Sequence, residues 1–430
     1  MNLPKQPYKG ARDFYPADKR VQKYMFAKLR SVVESFGYQE YDAPILEPLD
    51  IYLAKSGEEI VNDQLYSFED KGGRKVAIRP EMTPSVSRMV AAKRQELALP
   101  LRWYSIPNLW RYERPQRGRL REHWQLNVDL FGVAGTEADH EIIVIADALL
   151  RAFGAKPDSY VIRISSRKLT EYFLKDLLKL KSAKAVDAMK LIDRKHKMPT
   201  TKFVTEAEKI LKDKNRTAQL LEFVNATSLR ALPSSLQSHS SVKELAKLMN
   251  LLQKSGVTEA VFDTSVVRGM DYYTDIVFEV FDANPENIRS MFGGGRYDGL
   301  VGLFGVDPVP TVGFGMGDVT LQNFLETHKL LPELKQETDA LAILIGDVYE
   351  DAQKILLHLR KLGLNISVES TGRKLDSQLR SAVKAGMRHV IFIGESEISS
   401  GKLKLRDLQT GAENELTLAQ VASSLSSARQ

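Results

Sequence analysis

Apolar positions recur along the chain in two different periods, and each period predicts a different secondary structure. In residues 18–36, apolar side chains return every three to four positions, which predicts an amphipathic helix. In residues 267–281, VRGMDYYTDIVFEVF, the period falls to two, so that Ile276, Phe278 and Val280 share one face. This alternation of β-branched and aromatic residues is typical of a strand.

A second alternating run, residues 122–131, carries its polar side chains on one face of a predicted strand. His123, Gln125, Asn127 and Asp129 point to one side, and the residues between them are apolar. Shorter runs predict strands at 38–45, where a proline indicates an edge or a bend, and at 101–112. A further helix is predicted at 318–327.

The patterns divide the chain into regions of different character. Strand patterns occupy residues 1–166 and 256–330, whereas residues 167–255 are Lys-rich, helical in period and poor in strands. From residue 338 to 430, apolar runs alternate with amphipathic helices, which predicts a small, mostly parallel α/β domain. We therefore expect a first domain in two parts, a helical insertion between them and a C-terminal domain.

Composition describes an ordinary globular protein of two or three domains. The 430 residues are 43% hydrophobic and 27% charged. The absence of cysteine excludes disulfides, thiolate zinc sites and cysteine nucleophiles, and it fits a reducing cytoplasm. The N-terminus has no apolar secretory region, and no run approaches the roughly 20 apolar residues of a membrane span. We expect a soluble, cytoplasmic protein without a membrane anchor.

Positive charge is concentrated in one stretch, residues 181–216. It contains eleven basic and five acidic residues, an excess equal to the net charge of +6 of the whole chain. Such a patch can attract a polyanion. A solvated helix face is Lys-rich as well, and by itself that is the more common explanation.

The candidate chemistry begins in residues 111–132, RYERPQRGRLREHWQLNVDLFG. Five arginines precede the alternating strand against two glutamates, Glu113 and Glu122. The planar fork of arginine suits carboxylate and phosphate oxygens. Together with Gln125 and Asp129 on the strand, this loop predicts recognition of a zwitterion beside phosphates, although any half-exposed strand can carry polar residues.

Three other segments carry candidate binding groups. In residues 79–83, RPEMT, the acid and the hydroxyl are suited to an ammonium group. Arg268, Tyr272 and Tyr273 precede the strand in residues 267–281 and indicate a pocket entrance. A run of three glycines at 293–295 allows a backbone to approach a ligand closely. A core strand with packed tyrosines and a Gly-rich turn is the alternative, and both remain open on these segments alone.

Taken together, these segments resemble the histidyl-tRNA synthetase family of the class II aminoacyl-tRNA synthetases, over nearly the whole chain. Residues 38–52 resemble the first class II motif, which forms the dimer interface in the family, and residues 111–132 resemble the second. Residues 268–273, RGMDYY, and 294–299, GGRYDG, resemble signatures specific to the histidine enzymes. The implied fold is α/β: an α+β catalytic domain with an antiparallel sheet flanked by helices, a helical insertion, and a C-terminal mostly parallel α/β domain that binds the anticodon.

The resemblance also implies a role for individual residues of this chain. Arg111 and Arg268 would be catalytic and would hold the α-phosphate of ATP, with Glu113 and Arg121 as further ATP-binding residues. Histidine would be bound by Glu81, Thr83, Gln125, Asp129, Tyr272, Tyr273 and Tyr297. Gln116 and Arg117 would meet the acceptor end of tRNA.

The implied activity is the ATP-dependent ligation of L-histidine to tRNA(His) through a histidyl-adenylate intermediate. ATP would be a substrate accompanied by Mg²⁺, and no metal site made of side chains is expected. The implied assembly is a cytoplasmic homodimer. Because the site would hydrogen-bond a polar side chain, it rejects analogues by roughly 10⁴-fold, so no editing domain is required.

Two positions depart from the family pattern. Thr320 stands where the third class II motif carries an arginine that packs on adenine, a contact worth about 0.5–2 kcal/mol. Asp129 stands where many members carry glutamate. An alternative is therefore a catalytically inactive histidine sensor, the regulatory subunit of ATP phosphoribosyltransferase, which lacks a C-terminal domain and tends to lose the two arginines. A tRNA-binding protein without catalysis would explain the basic insertion but not the pocket.

Overall fold

The structure is a computed structural model that describes residues 3–53, 63–269 and 272–429. Met270 and Asp271 of the RGMDYY segment lie outside the described residues. The chain divides into two compact units, Met1–Leu331 and Pro332–Gln430. None of the described helices is long and apolar enough to cross a membrane.

The first unit contains a large sheet, a small sheet and a set of α-helices. Its strands are β1 (Gln39–Glu40), β2 (Leu46–Pro48), β3 (Tyr66–Glu69), β4 (Lys75–Ile78), β5 (Leu101–Ser105), β6 (Asn108–Trp110), β7 (Glu122–Phe131), β8 (Tyr160–Ser166), β9 (Ala260–Phe262), β10 (Ile276–Asp282), β11 (Ser290–Arg296) and β12 (Thr311–Gly317). Its α-helices are α1 (Pro16–Ser35), α2 (Asp50–Leu53), α3 (Thr83–Ala92), α4 (Thr136–Ala152), α5 (Arg167–Tyr172), α6 (Ser182–Asp193), α7 (Thr200–Leu211), α8 (Lys214–Val224), α9 (Ser240–Lys254) and α10 (Asp318–Thr327).

The large sheet has the order β1-β5-β7-β12-β11-β10-β8-β9, and β6 also pairs with β7. All pairings are antiparallel except those at the two edges, β1 with β5 and β8 with β9. The antiparallel sheet that the sequence led us to expect is therefore confirmed. A separate antiparallel sheet has the order β2-β4-β3.

Prolines divide two of the predicted strands. The run at 38–45 gives only the short strand β1, and the chain pairs again at β2, after Pro44. The run at 101–112 is divided into β5 and β6 around Pro107, because proline cannot donate a ladder hydrogen bond. The prediction of an edge or bend at 38–45 is confirmed, since β1 ends the sheet.

Residues 167–254 fold almost entirely into helices, α5 to α9, with a π-helical turn at Phe173–Leu177. The rings of Phe173 and Phe223 stack with centroids 4.2 Å apart. Both belong to the same hydrophobic core as the apolar face of α4 and the large sheet. The helices predicted from the Lys-rich pattern are thus anchored on the sheet by one continuous core.

The three consecutive glycines lie within strand β11, so the interpretation of this run as a turn is wrong. A Cβ on Gly294 would overlap the carbonyl oxygen of Gly313, and one on Gly295 would overlap that of Ile276. Glycine is needed here because neighbouring strands come too close for any side chain.

The second unit is a five-stranded sheet with helices. Its elements are β13 (Ala340–Leu344), α11 (Tyr349–Lys361), β14 (Ile366–Glu369), α12 (Leu375–Lys384), β15 (His389–Ile393), α13 (Glu395–Ser400), β16 (Lys402–Asp407), β17 (Glu413–Thr417) and α14 (Leu418–Arg429). The order is β14-β13-β15-β16-β17. The first three strands are parallel, as predicted, whereas β16 and β17 pair antiparallel. Half of the pairings are therefore antiparallel: the short helix α13 joins β15 to β16, and a hairpin joins β16 to β17.

Candidate active site

A cavity of about 260 Å³ opens against the large sheet. Its walls come from the segment before α3, the arginine loop between β6 and β7, the strands β7, β10, β11 and β12, and the start of α10. The predicted site residues that line it are Glu81, Thr83, Arg111, Glu113, Gln125, Asp129, Arg268, Tyr272, Tyr273 and Tyr297. The fold thus brings most of the predicted site residues together from four distant segments.

Glycines on β12 leave room for the polar face of β7. In the register of the sheet, Gly313 lies opposite Asp129 and Gly317 lies opposite Gln125. A Cβ on Gly313 would overlap the Asp129 carboxylate, and one on Gly315 would overlap the Gln125 amide. The alternate glycines of β12 therefore form a floor on which the side chains of β7 lie.

One end of the cavity holds two buried carboxyl groups bound by tyrosine hydroxyls. The hydroxyl of Tyr272 donates to Oε2 of Glu81 at 3.0 Å. Asp129 accepts a short hydrogen bond from the hydroxyl of Tyr297 and a longer one, 3.4 Å, from that of Tyr41. This end can recognise a ligand that carries both an ammonium group and a polar ring.

Burial raises the pKa of Asp129 to about 7, against the lowering effect of the hydrogen bonds from Tyr297 and Tyr41. The carboxyl group is therefore partly protonated near neutral pH. It can accept a hydrogen bond as a carboxylate or donate one as an acid. Such a group is suited to bind a ring that itself titrates in this range.

Three arginines also line the cavity, Arg111, Arg119 and Arg268, and Arg119 is paired with Glu113 at 3.0 Å. Nε of Arg111 donates to the carbonyl oxygen of Pro80 at 2.9 Å. Nη1 of Arg268 lies 2.7 Å from Oε1 of Glu279, and its Cζ lies 5.8 Å from the ring centre of Tyr273. The guanidinium groups of Arg111 and Arg268, from segments far apart in the chain, thus line one cavity, where they can bind a phosphate between them.

His123, Asn127 and Glu279 also line the cavity, although none was among the predicted site residues. Burial lowers the pKa of His123 to about 3, with further lowering by Arg111 and Arg12, so its ring is neutral. The alternation along β7 was a signal for His123 and Asn127, because it places both on the face of Asp129.

Arg121 does not line the cavity, in contrast to its predicted ATP contact. Its Nη1 donates to the hydroxyl of Tyr8 at 2.7 Å, and its Nε donates to the carbonyl oxygen of Glu113 at 3.2 Å. Its guanidinium lies 3.9 Å from the ring centre of Tyr112. Tyrosines therefore hold this side chain at the base of the loop, away from the cavity.

Gln116 and Arg117 line a second cavity, of about 320 Å³, which shares Gly118, Met291 and Thr320 with the first. Nε of Arg117 donates to Oδ1 of Asn287 at 3.1 Å. Oε1 of Gln116 accepts from Nη2 of Arg289 at 3.0 Å. The two predicted tRNA contacts thus lie together beside the main cavity, bound to the segment before β11.

Thr320 lies at the boundary between the two cavities. Its hydroxyl donates to the carbonyl oxygen of Met291 at 2.7 Å. A Cβ on Gly118 would lie 3.4 Å from its methyl group, so the arginine loop packs against it. The side chain at this position therefore presents a methyl group, not a cation, to the loop.

Arg296 of the GGRYDG segment points away from the cavity. It binds Asp139 with two nitrogens, at 2.6 and 3.2 Å, and donates to the carbonyl oxygens of Val133 and Gly135. Both charged side chains are almost completely buried. The pair ties the end of β11, and with it Tyr297, to the start of α4.

Comparison with known proteins gives consistent results. Residues 10–320 match the family described as histidyl-tRNA synthetase, and residues 339–427 match the anticodon binding domain. A histidine--tRNA ligase of Leptospira biflexa is 44% identical over 424 residues, which cover 97% of this chain and 96% of the relative. A histidine--tRNA ligase of Thermoplasma volcanium is 37% identical over 416 residues, which cover 95% and 96%.

Two solved structures resemble this one in fold. A histidyl-tRNA synthetase from Nostoc sp. PCC 7120 superimposes with a TM-score of 0.82 at 24% identity, covering 99% of this chain and 100% of that one. A protein from Bacillus halodurans C, titled as an ATP phosphoribosyltransferase regulatory subunit/histidyl-tRNA synthetase, gives 0.75 at 21% identity, covering 92% and 100%. At these identities the likeness concerns the fold alone.

Proposed function

The chain belongs to the histidyl-tRNA synthetase family, and we propose that it ligates L-histidine to tRNA(His) with ATP through a histidyl-adenylate. The observation that carries this proposal is the shared cavity of Arg111 and Arg268 beside the buried carboxyl groups of Glu81 and Asp129. The sensor alternative is not favoured, because the match to histidine--tRNA ligases extends through the C-terminal unit.

In the proposed complex, histidine lies at the end of the cavity that holds the carboxyl groups of Glu81 and Asp129. Glu81, Thr83 and Gln125, which line the cavity, are suited to its ammonium group. The wall for the imidazole is formed by the three contacting, buried rings of Tyr272, Tyr273 and Tyr297, and the hydroxyl of Tyr297 binds Asp129. An apolar side chain would offer these buried polar groups no further hydrogen bond, which disfavours an apolar amino acid.

The carboxylate of histidine then attacks the α-phosphorus of ATP, and the bond to the leaving pyrophosphate breaks. Charge on the transferring group is stabilised by Arg111 and Arg268, which are held before the reaction begins. In the second step a ribose hydroxyl at the 3′ end of tRNA attacks the activated carbonyl carbon, and AMP leaves. Gln116 and Arg117 are positioned on the neighbouring cavity to meet that end of the tRNA.

Mg²⁺ would enter together with the phosphates of ATP. Among residues 3–53, 63–269 and 272–429, no cluster of three or more metal-ligating side chains occurs. In proteins Mg²⁺ is usually held by substrate phosphates and water with one or two carboxylates, and Glu113, which lines the cavity, would supply one. The ion would neutralise phosphate charge.

Pyrophosphate exchange is the direct test of this function. With ATP, Mg²⁺ and each amino acid in turn, the purified protein should exchange labelled pyrophosphate into ATP with histidine only. Binding of histidine without exchange would favour the sensor, and exchange with another amino acid would contradict the assigned specificity.

Replacing Asp129 by asparagine should raise the KM for histidine and also change how stability depends on pH. In the folded protein the pKa of Asp129 is raised to about 7 by burial, so ionisation opposes folding as pH rises from about 4 through 7. Asparagine cannot ionise, so the variant should gain thermal stability relative to wild type at pH 8 and none at pH 4. Paired melting curves at the two pH values measure this. An equal difference in thermal stability between variant and wild type at both pH values would show that Asp129 is not buried in its charged form.

The second unit is the proposed anticodon-binding domain, residues 338–430, in agreement with the family matched by residues 339–427. Deleting everything after Thr338 should weaken tRNA charging much more than adenylate formation, because the cavity lies wholly within the first unit. Parallel charging and exchange assays on the same preparation measure the two losses. Equal losses would argue against an anticodon-binding role.

A cytoplasmic homodimer is the proposed assembly. The small sheet β2-β4-β3 exposes Leu46 and Phe68, and Ile45 directly before it is exposed as well, each about half accessible; such apolar surface is typical of an interface. Sedimentation equilibrium of the full chain measures the mass, and a monomer at micromolar concentration would contradict the proposal.

Several basic residues of the 181–216 stretch lie in local ion pairs, such as Lys197 with Asp193 and Lys209 with Glu206, which supports a solvated face.

A further inference from the structure

The Arg268 side chain enters the cavity from an unusual backbone conformation. Its φ angle is +59°, in the left-handed region that side chains rarely adopt. Such a conformation persists only where surrounding contacts hold it, and it is common at functional sites. The contacts that hold the guanidinium therefore decide where its charge lies.

Glu279 provides the charged contact. Its Oε1 lies 2.7 Å from Nη1 of Arg268, and both side chains are about four-fifths buried. The second nitrogen, Nη2, donates to the carbonyl oxygen of Gly293 at 3.2 Å. A carboxylate and a carbonyl oxygen thus fix two nitrogens of one planar group, which sets its orientation as well as its position.

The sheet register brings the two fixed acceptors to the same place. Glu279 on β10 lies opposite Gly293 on β11. A Cβ at Gly293 would lie 2.8 Å from Nη1 of Arg268, so the guanidinium occupies the space that this glycine leaves. Gly293 and Glu279, on adjacent strands, therefore form one binding site for the guanidinium of Arg268.

A carboxylate in this cavity is unfavourable for binding ATP by itself, because it repels phosphate oxygens. Because the carboxylate of Glu279 lies beside Arg268, it has a role that compensates for this repulsion. Arginine has five N–H donors, so a guanidinium held along one edge keeps others for a ligand. Building on the proposed function, we propose that Glu279 is a positioning residue that orients Arg268 toward the α-phosphate.

The test is a double-mutant cycle in single-turnover adenylate formation with the full-length protein. Glu279→Gln should reduce the rate about 10- to 100-fold, as misplacement of a catalytic group by about 1 Å does. The KM for histidine should stay within about twofold, because Glu279 acts through Arg268. In the Arg268→Ala background, Glu279→Gln should add less than about twofold, because the group that it positions is gone.

Glu259→Gln is the matched control. Glu259 is a buried glutamate that lies 2.8 Å from Nη2 of Arg151, outside the cavity. It should leave the rate of adenylate formation unchanged. If Glu279→Gln does not fold, Glu279→Asp keeps the charge on a shorter arm and should fold and show a part of the same rate loss.

Four results would overturn the proposal. A normal rate in a folded Glu279→Gln or Glu279→Asp variant would show that Arg268 needs no such partner. A full further loss in the Arg268→Ala background would show that Glu279 acts directly, and a raised Mg²⁺ requirement would identify it as a metal ligand. Equal losses in rate and in histidine affinity would indicate a collapsed cavity. Wild-type protein that fails to exchange pyrophosphate with histidine would contradict the proposed function instead.

Discussion

Arg268→Ala should reduce histidyl-adenylate formation by about 10²- to 10³-fold and leave the fold intact. Removing one fixed donor that stabilises charge in the transition state has an effect of this size. Three arginines line the cavity, and Arg119 is paired with Glu113, so the loss of Arg268 leaves Arg111 as the remaining arginine assigned to the reacting phosphate. Pyrophosphate exchange measures the rate, and circular dichroism melting measures the fold.

The control for this variant is Arg30→Ala. Arg30 lies 2.9 Å from Glu40 in a pair in which both side chains are more than a third exposed. Its removal changes the net charge equally but touches nothing in the cavity, so the rate should stay at the wild-type value. A near-normal rate for Arg268→Ala would remove its assigned role in catalysis.

Arg296→Ala should destabilise the first unit by about 3–5 kcal/mol, the loss typical when one partner of a buried ion pair is removed. The change leaves Asp139 buried without its guanidinium, together with two carbonyl oxygens that had accepted from it. The apparent melting temperature should fall by roughly 10 °C, which differential scanning calorimetry measures. Adenylate formation should fall as well, because Arg296 holds Tyr297 in place.

The loss of stability in Arg296→Ala should depend on pH, and the pKa of Asp139 determines the sign of this dependence. Burial raises the pKa of Asp139 to about 6 even though Arg296 opposes the shift. Without Arg296 the pKa rises further, so Asp139 is neutral at pH 5 and charged only at higher pH. The destabilisation should therefore be smaller at pH 5 than at pH 8.

The companion variant is the double change Arg296→Met with Asp139→Leu. Replacing both members of a buried pair by apolar residues removes the uncompensated charge, so it should recover much of the lost stability. Arg30→Ala should lower the melting temperature little, because exposed pairs contribute about 1 kcal/mol or less. No change in melting temperature for Arg296→Ala would show that the pair is not buried in solution.

Local pattern predicted the regular elements well where a segment has one buried face. The strand at 122–131 and the helix at 318–327 have the same bounds in the structure as in the prediction, because every second residue, or every third to fourth, meets the core. The hairpin of β16 and β17 was missed. Its strands alternate lysine with leucine or are mostly exposed, so they carry a weaker apolar signal.

The arginine loop shows the limit of pattern for a site. Arg111, Arg117, Arg119 and Arg121 belong to one short basic segment, yet Arg111 and Arg119 line the main cavity whereas Arg117 and Arg121 do not. Arg117 binds Asn287, and Arg121 binds Tyr8. The orientation of a long side chain depends on hydrogen-bond acceptors and rings in remote segments, so the sequence of the loop alone does not predict it.

The amino-acid sequence alone determined the class of the strongly periodic elements, the polar face of β7 and the motifs that identify the family, because periodicity and motifs depend on neighbouring residues. The tertiary structure alone decided that Arg111 and Arg268 line one cavity, that Arg121 does not, and that Glu279 holds Arg268. Those contacts depend on the order β7-β12-β11-β10 in the sheet. Strand order is set by packing between segments far apart in the chain, so it leaves no periodic signal in any one of them.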